Sequence, residues 1–315
     1  MRRTALLALV AAPALTGAAA AHDLFLELES HRLAARTPVT IALVNGTFGT
    51  SDNVIARDRM VDVSLVGPAN RREHLAEELW RDEGVTTMLD LTTGAPGSYV
   101  LGVSTAPRGI EMDAEAFHRY LKHDGVLDVL EQRTAAGLLD QPARERYSKH
   151  VKTILRVGGE ASGAFDAVLG YPVEIVPLRD PLSLELGEEL PVRVLRDREP
   201  LANQLVYASH ERFHGHDEEG AHIEAFRGRT DATGLTTVPL DASGRWYVRL
   251  IHMTEAPEDD VDYESLWATL TFEVQDRRPA GPLIILMVAS FTAALIALVA
   301  LVAGRPLTGG ASPLS

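Results

Sequence analysis

The chain has no cysteine among its 315 residues, so no disulfide staples it and no thiolate can ligate a metal. Any metal site must be built from imidazole, carboxylate, amine or backbone oxygen. Aromatic residues are sparse at 6%, and 30 Lys and Arg face 44 Asp and Glu, for a formal charge of −14. A surface of that sign is a poor partner for nucleic acid or anionic lipid and suits cations. Also missing are a Gly-x-Ser-x-Gly elbow, a Walker loop, a dinucleotide fingerprint and a His-Glu-x-x-His helix. No glycosidase pair can be picked from the many carboxylates, and no catalytic activity is expected.

Long apolar runs are confined to the two ends. Arg2 and Arg3 precede an apolar stretch over residues 5–15, and small residues fill 18–21 (AAAA), as a signal peptidase requires. With Ala19 and Ala21 as the small pair, residues 1–21 are removed and His22 becomes the first residue; Ala18 and Ala20 would leave Ala21 in front. Losing Arg2 and Arg3 takes the body two units further, to −16. Residues 282–303 (PLIILMVASFTAALIALVALVA) carry no charge and are long enough, at roughly 20 residues per crossing, to span a bilayer. The expected topology is a single-pass protein of the cell envelope, its body in the periplasm or outside, a linker at 276–281 and a cytoplasmic tail at 304–315.

The body between reads as mainly β. Residues 39–44 (VTIALV), 60–66 (MVDVSLV), 84–91 (GVTTMLDL) and 97–104 (GSYVLGVS) are short, β-branched and bounded by turn formers, the spacing of an antiparallel sandwich. Helical periodicity follows: Phe117, Leu121, Val126 and Leu130 around a break at Gly125, then a second helix opened by Pro142 that carries Tyr147, Val151, Ile154 and Leu155. Strands return in 190–209, 230–240, 244–253 (GRWYVRLIHM) and 263–274 (YESLWATLTFEV). The expected fold is two immunoglobulin-like or transthyretin-like β-sandwich domains, an N-terminal β domain (22–110) and a C-terminal one (159–275), joined by a helical insertion or bridge (111–158).

The "AHDLFLEL" start, "ERYSKHVKTILRVG", "GYPVEIVPLRDP", the "TDATG" turn, "GRWYVRL" and "LWATLTF" occur in this order over most of the body. Through them the chain resembles the bacterial domain of unknown function 4198. Members of that family are described as periplasmic components or relatives of nickel and cobalt uptake systems. The resemblance implies a metal-ion ligand and a membrane metal importer as partner.

Three sets of histidines bear on that implication. A mature N-terminal His22 offers its α-amine and imidazole together, two nitrogen donors that suit Cu(II) or Ni(II); alternatively His22 begins an edge strand whose apolar side is Leu24, Leu26 and Leu28. The stretch "SHERFHGHDEEGAH" places His210, His214, His216 and His222 within thirteen residues among carboxylates, either a weak capture site or a solvated acidic hairpin. His252 shares a strand face with Trp246, Val248 and Leu250, where it either meets His22 or is a satisfied core residue. His118, His123 and His150 read as structural.

Three functions follow from these alternatives. The leading one is a membrane-anchored extracytoplasmic accessory that binds Ni, Co or Cu ions beside an importer. The others are a non-catalytic β-sandwich interaction module of the envelope and a histidine-brace copper enzyme. All depend on what lies at the mature N-terminus. Intact-mass measurement of the exported protein is expected to show a chain beginning at His22; a retained leader, or a cut several residues downstream, removes the amine–imidazole pair.

Overall fold

Short β-branched runs separated by Gly, Pro, Asn and Asp form strands here because side chains at period two can bury one face while turn formers reverse the chain. The computed structural model describes residues 22–276 except 160, 162, 217–222 and 257–259. The leader, the apolar run 282–303 with its flanks, and His222 lie outside the described residues. Among the described residues no helix is long and apolar enough to cross a membrane.

The first half contains β1 (Asp23–Glu27), β2 (Arg32–Leu33), β3 (Pro38–Thr47), β4 (Thr50–Ser51), β5 (Met60–Val66), β6 (Arg72–His74), β7 (Trp80–Glu83), β8 (Thr86–Thr92), β9 (Gly97–Thr105) and β10 (Arg108–Met112). Helices α1 (Ala114–His123) and α2 (Leu127–Ala136) follow. The second half contains β11 (Ala143–Val157), β12 (Val173–Pro177), β13 (Glu189–Arg196), β14 (Glu199–Pro200), β15 (Leu205–His210), β16 (Phe226–Arg229), β17 (Leu235–Pro239), β18 (Gly244–Glu255) and β19 (Tyr263–Val274). The fold is mainly β.

A ten-stranded sheet in the order β16-β15-β18-β19-β11-β9-β5-β6, with β2 and β10 also on β11, forms the middle layer. Alternation along its strands assigns its two faces. Leu266, Ala268, Leu270 and Phe272 of β19 join the core shared with β12, β13 and β17 of the four-stranded sheet. On the other face Leu101, Val103, Val151 and Leu155 pack against β1, β3 and β8 of the five-stranded sheet. Beside them Trp267 and Tyr263 pack against Phe117, Tyr120 and Leu121 of α1. Thr269 and Thr271 of β19 tie the layers further, their hydroxyls donating to the carbonyls of Leu24 and Leu26 at 2.7 and 2.6 Å.

The main departure from the sequence reading is β11, expected as the second helix of the bridge. The insertion is helical only in α1 and α2. Tyr147, Val151, Ile154 and Leu155 fit a helical stripe, but in the structure Ser148 through Val157 are all buried, on both faces of one strand. Its polar residues are not a solvated face. The ring nitrogens of His150 meet Ser104 Oγ at 2.9 Å and Ser148 Oγ at 3.0 Å, and the Lys152 ammonium meets Glu174 Oε2 at 3.0 Å. The pairing also departs from an antiparallel sandwich, because β11 runs parallel to β19 from Glu145 opposite Tyr263 to Thr153 opposite Thr271. One sheet, not a helical bridge, joins the two ends of the body.

The Lys152–Glu174 pair fastens the four-stranded sheet to the middle layer, with side chains 3% and 1% exposed. Glu174 also accepts backbone N–H groups from Leu169, Gly170 and Tyr171 at 2.9, 2.6 and 3.0 Å. Removing one partner of such a pair leaves a buried uncompensated charge. Glu174→Leu is expected to cost about 3–5 kcal/mol in denaturant unfolding. Glu188→Leu, which breaks the exposed 2.8 Å pair with Arg179, is expected to change stability by about 1 kcal/mol or less. Equal effects at the two sites would refute this account of the layer contact.

Candidate functional site

On the face of the middle sheet that carries β1 and α1, a cavity of about 910 Å³ opens between those two elements. Its floor includes Tyr247 and Arg249 of β18; one wall holds His22, Asp23 and Asp52, and the other Ala116, Arg119, Tyr120 and His123. The helical wall follows from spacing: residues 116, 119, 120 and 123 lie at i, i+3, i+4 and i+7, one face of α1. Asp113 caps that helix by accepting the Ala116 N–H at 2.8 Å. Gly125 ends the turn after it with φ +75°, and a Cβ there would lie 2.5 Å from the Tyr207 hydroxyl. Gly46 is needed on the opposite wall, since its Cβ would meet Thr50 O at 2.3 Å and Asp52 Oδ2 at 2.9 Å.

The charges beneath the cavity are buried and mutually arranged. Arg249 donates to Glu224 Oε1 at 2.6 Å and to the Asp124 carbonyl at 3.0 Å, and lies 3.5 Å from Asp23 Oδ2. Burial lowers the guanidinium pKa, and the carboxylates of Asp23 and Glu224 outweigh that and raise it. Burial pushes the Asp23 carboxyl up to about 6, against the pull of Arg249. Lys149 donates to the His22 carbonyl and, at 3.0 Å, to Asn45 Oδ1; burial lowers its pKa to about 8, with Asp23 opposing. Glu145 is raised to about 7 by burial, although Ser265 and Tyr120 donate to its Oε1, and Oε2 has no partner.

The structure separates the histidines singled out from sequence. His22 lines the cavity, with Nδ1 3.4 Å from Asp52 Oδ2. His210 and His214 reach its rim. The His210 ring is committed, however: Nδ1 accepts the Arg212 N–H at 3.3 Å and Nε2 faces Asp241 at 3.4 Å, with Trp246 packed at 4.7 Å. His216 points Nδ1 at the His214 carbonyl, 3.1 Å away. His252 is on the opposite face of β18, held by Gln204 Oε1 at 2.9 Å and lowered to about 4 by burial, so it does not meet His22. His123, read from sequence as structural, lines the cavity, and its pKa is raised by the hydrogen bond to Asp124 at 3.3 Å. The readable signal was its place at the end of α1, beside the glycine break.

Among the described residues no three His, Asp or Glu side chains are grouped so as to hold a metal ion. A metal at His22 would need a donor beyond the side chains. Were processing to free the His22 α-amine, it would be such a donor beside Nδ1 and the Asp52 carboxylate.

The family model described as Domain of unknown function (DUF4198) matches residues 19–254. No curated protein matches the chain. Among solved structures, the D0-D1 domain of Intimin aligns at 11% identity and a TM-score of 0.20, covering 79% of this chain and 97% of that one. The Yersinia pseudotuberculosis adhesin InvE aligns at 14% identity and a TM-score of 0.20, covering 78% of this chain and 58% of that one. Scores this low do not establish a shared fold.

A further buried histidine contributes to the acid response, as His150 and His252, each lowered to about 4 by burial, also do. His31 is 1% exposed, both ring nitrogens lack partners, and burial lowers its pKa to about 3 from 6.5. Between these values the unfolded chain binds a proton that the folded chain does not. Stability contributed by the neutral ring is therefore complete above pH 6.5 and is lost as pH falls toward 3. Asp23 and Glu145, raised to about 6 and 7, act oppositely and lose stability as pH rises through the range from about 4. His31→Leu is expected to keep neutral-pH stability and to flatten the fall between pH 6 and 4 by about 1.4 kcal/mol per pH unit. Denaturant titrations across that range measure it, and an unchanged slope refutes it.

Proposed function

Because the chain belongs to the DUF4198 family, matched over residues 19–254, we propose that its body is an exported β-sandwich binding protein whose ligand is a divalent transition metal, Ni(II), Co(II) or Cu(II). The observation that carries this reading is His22 in the wall of an acidic cavity, its Nδ1 3.4 Å from Asp52. Cleavage after Ala21 would free the His22 amine at the same spot. Amine, imidazole and carboxylate together suit these metals better than magnesium, which favours oxygen ligands. Residues 282–303 would tether the body to the membrane, so that captured ions accumulate beside an importer. The acidic surface favours the arrival of cations.

The reading is of a carrier site and not of a brace-type copper enzyme. A brace needs a second histidine at the same metal, whereas His252 faces the other side of the sheet, both ring nitrogens of His210 are engaged, Nδ1 of His123 is bonded to Asp124, and among the described residues no three His, Asp or Glu side chains are grouped to hold a metal. An interaction module that binds an envelope protein or glycan remains the competing function, and metal-specific stabilisation separates the two.

The test is calorimetric titration of the full-length protein, purified after export with its N-terminus read by mass. Cu(II) or Ni(II) at a hundredfold excess over Kd is expected to add about 2.7 kcal/mol of stability, and Mg(II) much less. His22→Ala should remove the tight component. Replacing His214 and His216 together should remove only a weaker component. Binding that is absent, or that survives unchanged in every histidine variant, overturns the metal reading in favour of the interaction module.

A further inference from the structure

The register of β1 on β3 begins at Asp23, so His22 lies beyond the ladder. Residues 22 and 23 are nevertheless each held by a buried cation rising from a different strand of the middle sheet. Arg249 of β18, 4% exposed, faces the Asp23 carboxylate. Lys149 of β11, also 4% exposed, donates from its ammonium to the His22 carbonyl and to Asn45 Oδ1. The ring centroids of Tyr147 and Trp267 lie 5.7 and 5.4 Å from that ammonium.

Burying an ammonium this deeply costs several kcal/mol unless its partners repay it. Strand pairing does not require a cation here: the Lys149 N–H goes to Thr105 Oγ1 at 2.9 Å, and β11 is paired with β19 on either side of this position. What the ammonium does alone is grip the backbone of His22. With the carbonyl held by the ammonium and the ring facing Asp52, His22 is tethered at two points before any ligand arrives. A chelate ordered in advance loses less entropy on binding.

We propose that Lys149 is a positioning residue for the His22 metal site, acting through the carbonyl clamp rather than as a ligand. The proposal rests on the reading of His22 given above. It predicts that loss of the clamp damages the site more than the fold.

The experiment compares three variants of the processed full-length protein with wild type, by Cu(II) competition titration, electron paramagnetic resonance and thermal melting. Lys149→Met is expected to weaken Cu(II) about 10- to 100-fold, the range seen when groups that orient metal ligands are lost, and to turn a single resonance signature into a mixture. Lys152→Met removes an equally buried cation from the same strand, one that faces Glu174 and not His22. It should lower the melting temperature yet leave Cu(II) affinity and spectrum at wild-type values. Asn45→Ala, which frees one side of the ammonium, should fall between wild type and Lys149→Met. Wild-type affinity and spectrum in Lys149→Met overturn the proposal; if that variant does not fold, the same result in Asn45→Ala overturns it. Failure of processed wild type to bind Cu(II) sinks the metal reading itself, and the clamp with it.

Discussion

The structure depends on a strand that is buried on both faces and still carries cations. The buried cations Lys149, Lys152 and Arg156 of β11 find their partners in other layers, and those partners fix how the layers dock. Lys149 reaches His22 and Asn45 on the side of the five-stranded sheet. Lys152 reaches Glu174 on the opposite side, and Arg156 reaches Asp180 there, with side chains 8% and 9% exposed. An apolar strand would bury as well but would tolerate sliding of one layer over another. Here a slip of one residue would leave buried charges unmet.

Much of the fold was legible where local signals suffice. The strands at Met60–Val66 and Tyr263–Val274 have the bounds expected from alternation, and the helical break falls at Gly125, whose φ of +75° suits glycine. What misled was β11. Its apolar residues match two periods, and its lysines, histidine and arginine look like a solvated face unless their distant partners are known. Parallel pairing of β11 with β19 leaves no local trace, because no short turn joins such strands.

The site was legible in its first residue and not in its surroundings. His22 stood out as the candidate N-terminus, and the structure places it in a cavity wall. Lys149, Arg249 and His123 did not stand out, although "WYVRLIHM" held a usable clue. Tyr247, Arg249, Ile251 and Met253 share a face by alternation, and a lone arginine among large apolar neighbours signals a buried charge with a carboxylate waiting. The clustered histidines at 210–216 drew attention through density, whereas Nδ1 of His210 and Nδ1 of His216 each bond backbone groups within the stretch itself.

The hydroxyls of Thr269 and Thr271 that hold β1 have a consequence for how the molecule comes into being. They lie 245 residues beyond the carbonyls they bind, so the strand that follows His22 is seated by almost the last strand to leave the ribosome. A chain emerging from its N-terminus can pair β1 with β3 early but lacks these two bonds until β19 has been made, and such distant closures are slow. A fragment ending before β19 would own every wall residue of the cavity and still lack the fastening that seats β1. An intact seat for β1 thus requires the chain through Thr271, and a copy cut before β19 would present a loosened N-terminal strand.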